Sequence, residues 1–447
     1  MKFSSPVTRS LLGLTLIASS ATVVWAQTSP ETAATPDMSQ RMQDLEKQVT
    51  ELRAALAAMQ AQKAAPVPDA APATPAVATT AVATPAAAAP APPAGPTITS
   101  LLGPTTLSGF VDVYYGLNFA HPGARGNTLR NFDIETNQFG LNMIELIADK
   151  APDAAASRLG YHVSLGFGQA QNTVNAGEGK DTSGIGQFDQ YLKEGYLSYL
   201  APVGKGLQID VGKFVTPHGA EVIESKDNWN YSRGLLFAYA IPYYHFGARA
   251  KYTFNDKYSL TGFFVNGWNN VVDNNSAKTG GLSLGWNPSK KLAIAENYMA
   301  GPEQLNNNSN WRQLSDTTVT YTPNAKLGLN FNYDYGHDRV TPLAGPTTSV
   351  YWTGIAGYIR YALPHDVAIA GRYEYYNDHY GFTTLTPQHV QEFTGTLERT
   401  LYSHLISRFE FRHDVSNQAV FAHGPLTGVD KFQNTVTGGL ILTFDTK

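Results

Sequence analysis

From residue 105 to the end of the chain, apolar and polar positions alternate with a period of two. Leu107, Val111, Val113, Tyr115, Leu117 and Phe119 are interleaved with Ser108, Asp112, Gly116 and Asn118. Leu159, Tyr161, Val163, Leu165 and Phe167 are interleaved with Arg158, His162, Ser164 and Gly168. Leu327, Leu329, Phe331, Tyr333 and Tyr335 are interleaved with Lys326, Asn330, Asn332 and Asp334. Such a pattern gives a strand one apolar, aromatic face and one small, polar or charged face. The runs span about ten to fourteen residues, whereas ordinary strands run about five or six and a tilted strand crossing a bilayer needs about 9–11. The pattern therefore predicts an all-β fold, a transmembrane antiparallel up-and-down β-barrel with its apolar face toward lipid. A soluble sandwich would need shorter strands and its polar face outside.

The connectors between these runs fall into two length classes that alternate. Short ones lie near Ala151 to Ser157, Ala201 to Gly206, Asn255 to Lys257, Asn287 to Lys290, Thr322 to Ala325, Leu363 to Asp366 and Arg399 to Ser403. Long ones lie near 120–133, 169–187, 215–242, 268–279, 300–312, 337–348, 377–388 and 414–432. Together they predict about sixteen strands, with both ends of the barrel on the short-turn side. Bacterial barrels have even strand numbers, short periplasmic turns and longer outer loops. Predicted strands eight to ten are the least regular, because Lys291 to Met299 and Gln313 to Tyr321 alternate imperfectly, which leaves fourteen or eighteen strands as alternatives. Barrels of sixteen to eighteen strands leave an aqueous channel, whereas eight-stranded ones fill with side chains. The expected activity is passive diffusion of small hydrophilic solutes and ions.

Side-chain parity nominates pore-lining residues: Arg249 and Lys251 on the sixth strand, Arg372 and Glu374 on the thirteenth, and Arg408, Glu410 and Arg412 on the fifteenth. Strands two apart lie ~10 Å from each other, so Arg372 and Arg408 are expected to form one basic patch. Charged patches set ion preference in pores. The competing reading is that Glu374 and Glu410 neutralise these residues in structural ion pairs. The third long connector, 215–242, carries apolar Leu235, Leu236, Phe237 and Tyr239 beside Glu221, Glu224, Lys226, Asp227 and Arg233. A loop this long is uncommon without a function, and it is the candidate to fold inward and constrict the bore; the bland alternative is packing over the rim or a neighbouring subunit.

The start of the chain changes the picture only by adding an appendage. Lys2 and Arg9, the apolar stretch from Leu11 to Val24 and the small Ala26 read as a secretory signal peptide over 1–26. Met38, Met42, Leu45, Val49, Leu52, Leu56 and Met59 occupy consecutive a and d heptad positions, predicting a periplasmic coiled coil over 38–62. Residues 63–98 are nearly all Ala, Pro, Thr and Val, an extended linker. The coiled coil predicts an oligomer, with a homotrimer expected by analogy with porins.

Composition excludes several classes. The sequence has 24 Tyr, 21 Phe and 6 Trp, of which only Phe3 and Trp25 precede residue 99, so the aromatic surface belongs to the barrel. Net charge is −4, with no concentrated basic face of the kind nucleic acid requires. There is no cysteine. His162, His218, His245, His337, His365 and His404 are scattered without metal-like spacing, and no Gly-x-Ser-x-Gly elbow is present. No enzyme activity, catalytic residue, metal or cofactor is expected. An energy-driven importer would combine about 22 strands with a folded plug. The runner-up function is a barrel anchor that tethers the outer membrane to the cell wall or an envelope partner through its coiled coil.

Three segments carry a resemblance. They are Tyr199-Leu-Ala-Pro-Val-Gly204, Asp210-Val-Gly-Lys-Phe-Val-Thr-Pro-His-Gly-Ala-Glu221 and Asn230-Tyr-Ser-Arg-Gly-Leu-Leu-Phe-Ala-Tyr-Ala-Ile-Pro-Tyr-Tyr-His-Phe-Gly247, with Asn137-Gln-Phe-Gly-Leu-Asn142 in support. Over about 105–447 the chain resembles the OmpL-like β-barrel porin-2 family of Gram-negative outer membranes. The resemblance implies an outer-membrane porin and assigns no substrate or catalytic residue. One departure is the end of the chain, where Phe444 is followed by Asp445, Thr446 and Lys447, although barrel proteins commonly finish on an aromatic residue.

Overall fold

The computed structural model describes residues 103–176, 190–342 and 345–446. The predicted signal peptide, coiled coil and linker fall outside them. The barrel strands are β1 (Thr106–Asn118), β2 (Gln138–Lys150), β3 (Leu159–Phe167), β4 (Leu192–Ala201), β5 (Leu207–Val215), β6 (Tyr244–Thr253), β7 (Tyr258–Val265) and β8 (Thr279–Ser289). They continue as β9 (Leu292–Gln304), β10 (Asn307–Tyr321), β11 (Leu327–Val340), β12 (Thr348–Leu363), β13 (Val367–Asp378), β14 (Gln388–Leu401) and β15 (Leu405–Ser416). A small hairpin of β16 (Phe421–His423) and β17 (Gly428–Asp430) sits in the last long loop before β18 (Phe432–Asp445). Every barrel strand pairs antiparallel with its neighbours in sequence, and β1 closes the sheet against β18, from Ser108 opposite Asp445 to Asn118 opposite Thr435. The barrel has sixteen strands.

The alternation has become an inside-out distribution of polarity. On β14, Glu392, Thr394, Thr396 and Glu398 are buried, while Phe393 and Leu397 between them are about half exposed at 51% and 50%. The same holds on β15, where Arg408, Glu410, Arg412 and Asp414 are buried and Phe409 and Phe411 exposed. Charges inside and aromatic rings outside are unstable in water and stable in a bilayer, because closure satisfies every strand's backbone groups and lipid meets only apolar side chains. Replacing Leu397 by Arg is expected to cost about 2–4 kcal/mol at mid-depth. Lys251→Leu, on the inner wall near the short turns, is expected to stay within about 0.5 kcal/mol. Urea unfolding from lipid vesicles measures both.

One predicted loop is absent. The long connector expected at 300–312 is instead a two-residue turn, Leu305 and Asn306, with β9 and β10 running on through it to Gln304 and from Asn307. The polar run from Asn306 to Asn310 reads as a loop, but Asn306 takes the left-handed backbone conformation at φ 56°, which Asn tolerates in tight turns, and Asn307 pairs back to Gln304. The connector expected at 337–348 shrinks to 341–347, because β11 runs on to Val340 and β12 starts at Thr348, and the remaining six long connectors are longer than any of the short ones.

Candidate functional site: the loop inside the barrel

The segment 216–243 leaves β5, turns into the barrel and returns to β6. Its apolar residues drive it there. Ile223, Tyr231, Leu235, Leu236, Phe237 and Ile241 are almost fully buried and share one core with Phe132 of the first long loop and the inward-facing Tyr114, Trp352 and Tyr376. Between these anchors the loop has little regular structure, only a single tight turn at Ser225–Asp227 and a wide turn at Leu236–Ala240. Its peptide groups therefore need partners from elsewhere, since a buried unpaired group costs as much as a lost hydrogen bond.

The barrel wall supplies them in two complementary sets. Wall carboxylates and an amide accept from the loop's N–H groups. Tyr231 and Ser232 donate to Glu410 at 2.6 and 2.9 Å, Leu235 and Leu236 donate to Glu374, Gly219 donates to Asp316 at 3.0 Å and Ala220 to Asn332 at 3.2 Å. Wall guanidinium groups donate to the loop's carbonyls. Arg408 reaches Asn228 at 2.6 Å and Asn230 at 3.2 Å, Arg372 reaches Ser232 at 2.6 Å, and Arg412 reaches Arg233 at 2.7 Å. Side chains complete the clamp. Tyr231 donates its hydroxyl to Asp112 of β1 at 2.8 Å, Asn230 bonds Thr396, and Glu224 pairs with Lys193 of β4. The loop thus touches β1, β4, β10, β11, β13, β14 and β15, which lie on all sides of the bore.

The predicted site residues divide accordingly. Arg372, Glu374, Arg408, Glu410 and Arg412 face inward and are buried beneath the loop. Arg249 faces inward and bonds Asp210 at 2.8 Å, with its side chain 24% exposed. Lys251, two residues on, shares that face and is exposed. Among the loop residues, Glu221 pairs with Arg372 and bonds the Gly234 amide. Glu224 belongs to the Lys193 contact, and Asp227 pairs with its neighbour Lys226 at an exposed position. Arg233 is buried, lies over the Phe132 ring at 4.9 Å and bonds the Ile223 and Tyr231 carbonyls.

The expected patch of Arg372 with Arg408 is not what forms. Arg372 and Arg412 share Glu392, at 2.7 and 3.2 Å, whereas Arg408 pairs with Glu398 at 2.7 Å, and Arg360 of β12 joins it there. The intervening strand β14 decides this: Glu398 stands directly opposite Arg408, whereas Arg372 and Arg412 both stand opposite Thr394, one inward step from Glu392, and reach its carboxylate from the two sides. Glu392, Glu398, Asp112 and Lys193 were absent from the nominated set, although parity extended to β14 places the first two inward. Two of the histidines taken as scattered also meet. His218 and His245 each bond the Thr216 hydroxyl, at 2.9 and 3.1 Å, where the loop begins. Among the described residues no group of three or more His, Cys, Asp or Glu is arranged to hold a metal ion.

A close approach on the wall fixes the loop's far end. Trp352 of β12 lies flat over Gly336 of β11 and donates its indole N–H to Ala240 of the loop at 3.0 Å. A Cβ on Gly336 would sit 1.9 Å from the indole. Gly336→Ala is expected to displace the ring, break that bond and cost about 1–3 kcal/mol, seen as a lowered unfolding midpoint with altered tryptophan fluorescence.

Residues 104–444 match the family described as "Putative beta-barrel porin-2, OmpL-like". The chain belongs to this family. It is an outer-membrane porin. Among solved structures the porin is similar to an anion-selective porin from Comamonas acidovorans, at 10% identity and a TM-score of 0.52 over 76% of this chain and 99% of that one. It is likewise similar to the outer membrane channel DcaP of Acinetobacter baumannii, at 10% identity and a TM-score of 0.51 over 76% and 97% of the two chains. At these identities the likeness concerns the porin's fold. A search among curated proteins finds no match.

Proposed function

We propose that the porin conducts small hydrophilic solutes and ions through a water-filled passage narrowed by the segment 216–243. The observation that carries this reading is the placement of that segment: it occupies a bore of sixteen strands, wide enough when empty for an aqueous channel, and bonds to the wall on all sides. The long-loop end faces the exterior and the short turns the periplasm. Both ends of the barrel chain lie on the short-turn side, which directs the N-terminal region to the periplasm. Assembly as a homotrimer belongs to the same proposal, as does the absence of any catalytic step.

Ion preference belongs to the charges the loop leaves uncovered. Arg372, Arg408 and Arg412 have side chains no more than 2% exposed, so their charge is spent on the clamp. Arg249 and Arg360 are 24% and 33% exposed, and with Lys251 they add positive charge to the short-turn half of the inner wall, where Asp149 supplies an exposed carboxylate. Lys251→Gln combined with Arg360→Gln is expected to move the reversal potential in a salt gradient toward cation preference. An unchanged potential would reject these residues as determinants. Planar-bilayer recording tests the function itself: a folded barrel that inserts and passes no current would contradict it.

A further inference from the structure

A hollow at the long-loop end of the barrel takes no part in the clamp. It measures about 350 Å³, within the range of small-molecule sites, roughly 300–1,000 Å³. Tyr239 and Tyr243 of the inserted segment line it, together with Trp352 of β12, Trp268 from the loop between β7 and β8, Phe382 from the loop between β13 and β14, and Arg312 of β10. Tyr239, Trp268 and Phe382 are partly exposed. The Arg312 guanidinium lies over the Trp268 ring at 4.9 Å and the Phe382 ring at 5.3 Å. Trp352 stacks on Phe382 at 5.6 Å and meets Trp268 edge-on at 6.1 Å. Hydrogen bonds hold these rings in place. Glu303 accepts from the Trp268 backbone N–H at 2.8 Å, Asp378 from that of Phe382 at 2.8 Å, and the Trp352 indole is tied to Ala240. A site ordered in advance loses little freedom when a ligand enters.

Four partly exposed side chains of the lining keep hydrogen-bonding atoms that have no partner among the described residues. Asn131 donates its amide to the Ala238 carbonyl and the Tyr243 hydroxyl, both at 2.9 Å, which leaves its Oδ1. Asn269 accepts from the Tyr243 and Tyr244 N–H groups at 2.6 and 3.2 Å, which leaves its Nδ2. Arg312 directs Nε and Nη2 at Asp338, both at 2.9 Å, which leaves Nη1, and the Tyr239 hydroxyl bonds nothing. The hollow therefore presents aromatic surface with both donors and acceptors. A small anion would find Arg312 already paired with Asp338, and two more carboxylates, Glu303 and Asp378, bonded to lining residues. An aromatic hydrocarbon would leave the donors and acceptors unpaired, which is costly. A pyranose matches both, since its C–H face packs on an aromatic ring while its hydroxyls donate and accept. We propose that this hollow binds a neutral sugar ring, packed on the aromatic lining and bonded to Asn131, Tyr239, Asn269 and Arg312. The proposal rests on the reading of the barrel as a passage and names a solute class for it.

The experiment titrates the full-length protein in lipid vesicles with glucose, galactose and maltotriose, following the heat of binding. Mannitol, a polyol without a ring face, and benzoate, a ring with a charge, serve as comparisons. At least one of the three sugars is expected to bind saturably, with mannitol and benzoate about tenfold weaker or more. Trp268→Leu is expected to weaken sugar binding about tenfold, the loss of one stacked ring. Tyr239→Phe, which removes one oxygen and leaves the ring, is expected to weaken it several-fold, and Trp311→Leu on the lipid-facing side of β10 to leave it unchanged. No saturable binding of any of the three sugars to folded, inserted protein would overturn the proposal. Tighter binding of benzoate would overturn it too, as would affinities unaffected by both Trp268→Leu and Tyr239→Phe. Sugar binding by a barrel that passes no current would contradict the channel and leave the site standing, whereas current without sugar binding would remove the site and leave the channel.

Discussion

Joining residue 218 to residue 241 through a short Gly-Ser linker is expected to raise the single-channel conductance several-fold, with the barrel still folded. The segment removed lies wholly inside the bore, and the strands on either side of it, β5 and β6, remain paired from Val215 opposite Tyr244 downward. What the excision strands are the wall groups of the clamp. Glu374, Glu410, Arg372, Arg408 and Arg412 would then face water, where they are solvated, so their loss of partners costs little. Solute passage follows the widened bore: the excised channel is expected to admit polymers that the intact one excludes. An unchanged conductance would mean that the current bypasses the segment, and the constriction would have to be sought elsewhere.

Arg372→Ala is expected to be the most damaging single substitution in the clamp. Its guanidinium lies among Glu221 of the loop, Glu392 of β14 and Glu374 on its own strand, and it also bonds the Ser232 carbonyl. Removing it takes the paired cation from Glu221 and Glu374 and leaves Glu392 with Arg412 alone. Breaking a buried pair in this way costs about 3–5 kcal/mol, mostly the penalty of the uncompensated charges. The cost falls on the docking of the loop, because the backbone pairing of β13 continues on both sides. The variant should insert, show a raised and flickering conductance, and unfold at lower denaturant concentration. Arg360→Ala, whose partner Glu398 also has Arg408 and whose side chain is one-third exposed, is expected to cost about 0–1 kcal/mol. Equal losses for the two would contradict the clamp. Lys is no substitute at position 372, because one ammonium cannot reproduce the fork that serves Glu221, Glu392 and Ser232 together.

The barrel was legible in the sequence because its two determinants are local. Parity fixes which face of each strand meets lipid, and turn length fixes which end it is on. Parity also placed Arg372, Glu374, Arg408, Glu410 and Arg412 inward. What it could not give was register across strands, and register decides that Arg372 shares Glu392 with Arg412 while Arg408 goes to Glu398. A basic patch inferred from strand spacing thus became two ion-paired groups. The third long loop stood out by its length and its Leu235-Leu236-Phe237 run, but its partners on β1, β4, β10 and β11 are distant in sequence and carried no local signal. The missing loop at 300–312 failed for the opposite reason. A run of asparagines looks like a loop in composition, and a two-residue turn with Asn306 at positive φ satisfies the same composition in far less chain.

The most direct test of a passage narrowed by the segment 216–243 is polymer exclusion in single-channel recordings of the intact porin. Polyethylene glycols of graded size are added to both sides and the conductance is followed. Small polymers should enter and lower the current, larger ones should leave it unchanged, and the cut-off should shift to larger polymers when the segment is excised. A cut-off identical in the intact and excised proteins would contradict the constriction, and an intact, inserted barrel with no current at any polymer size would contradict the channel.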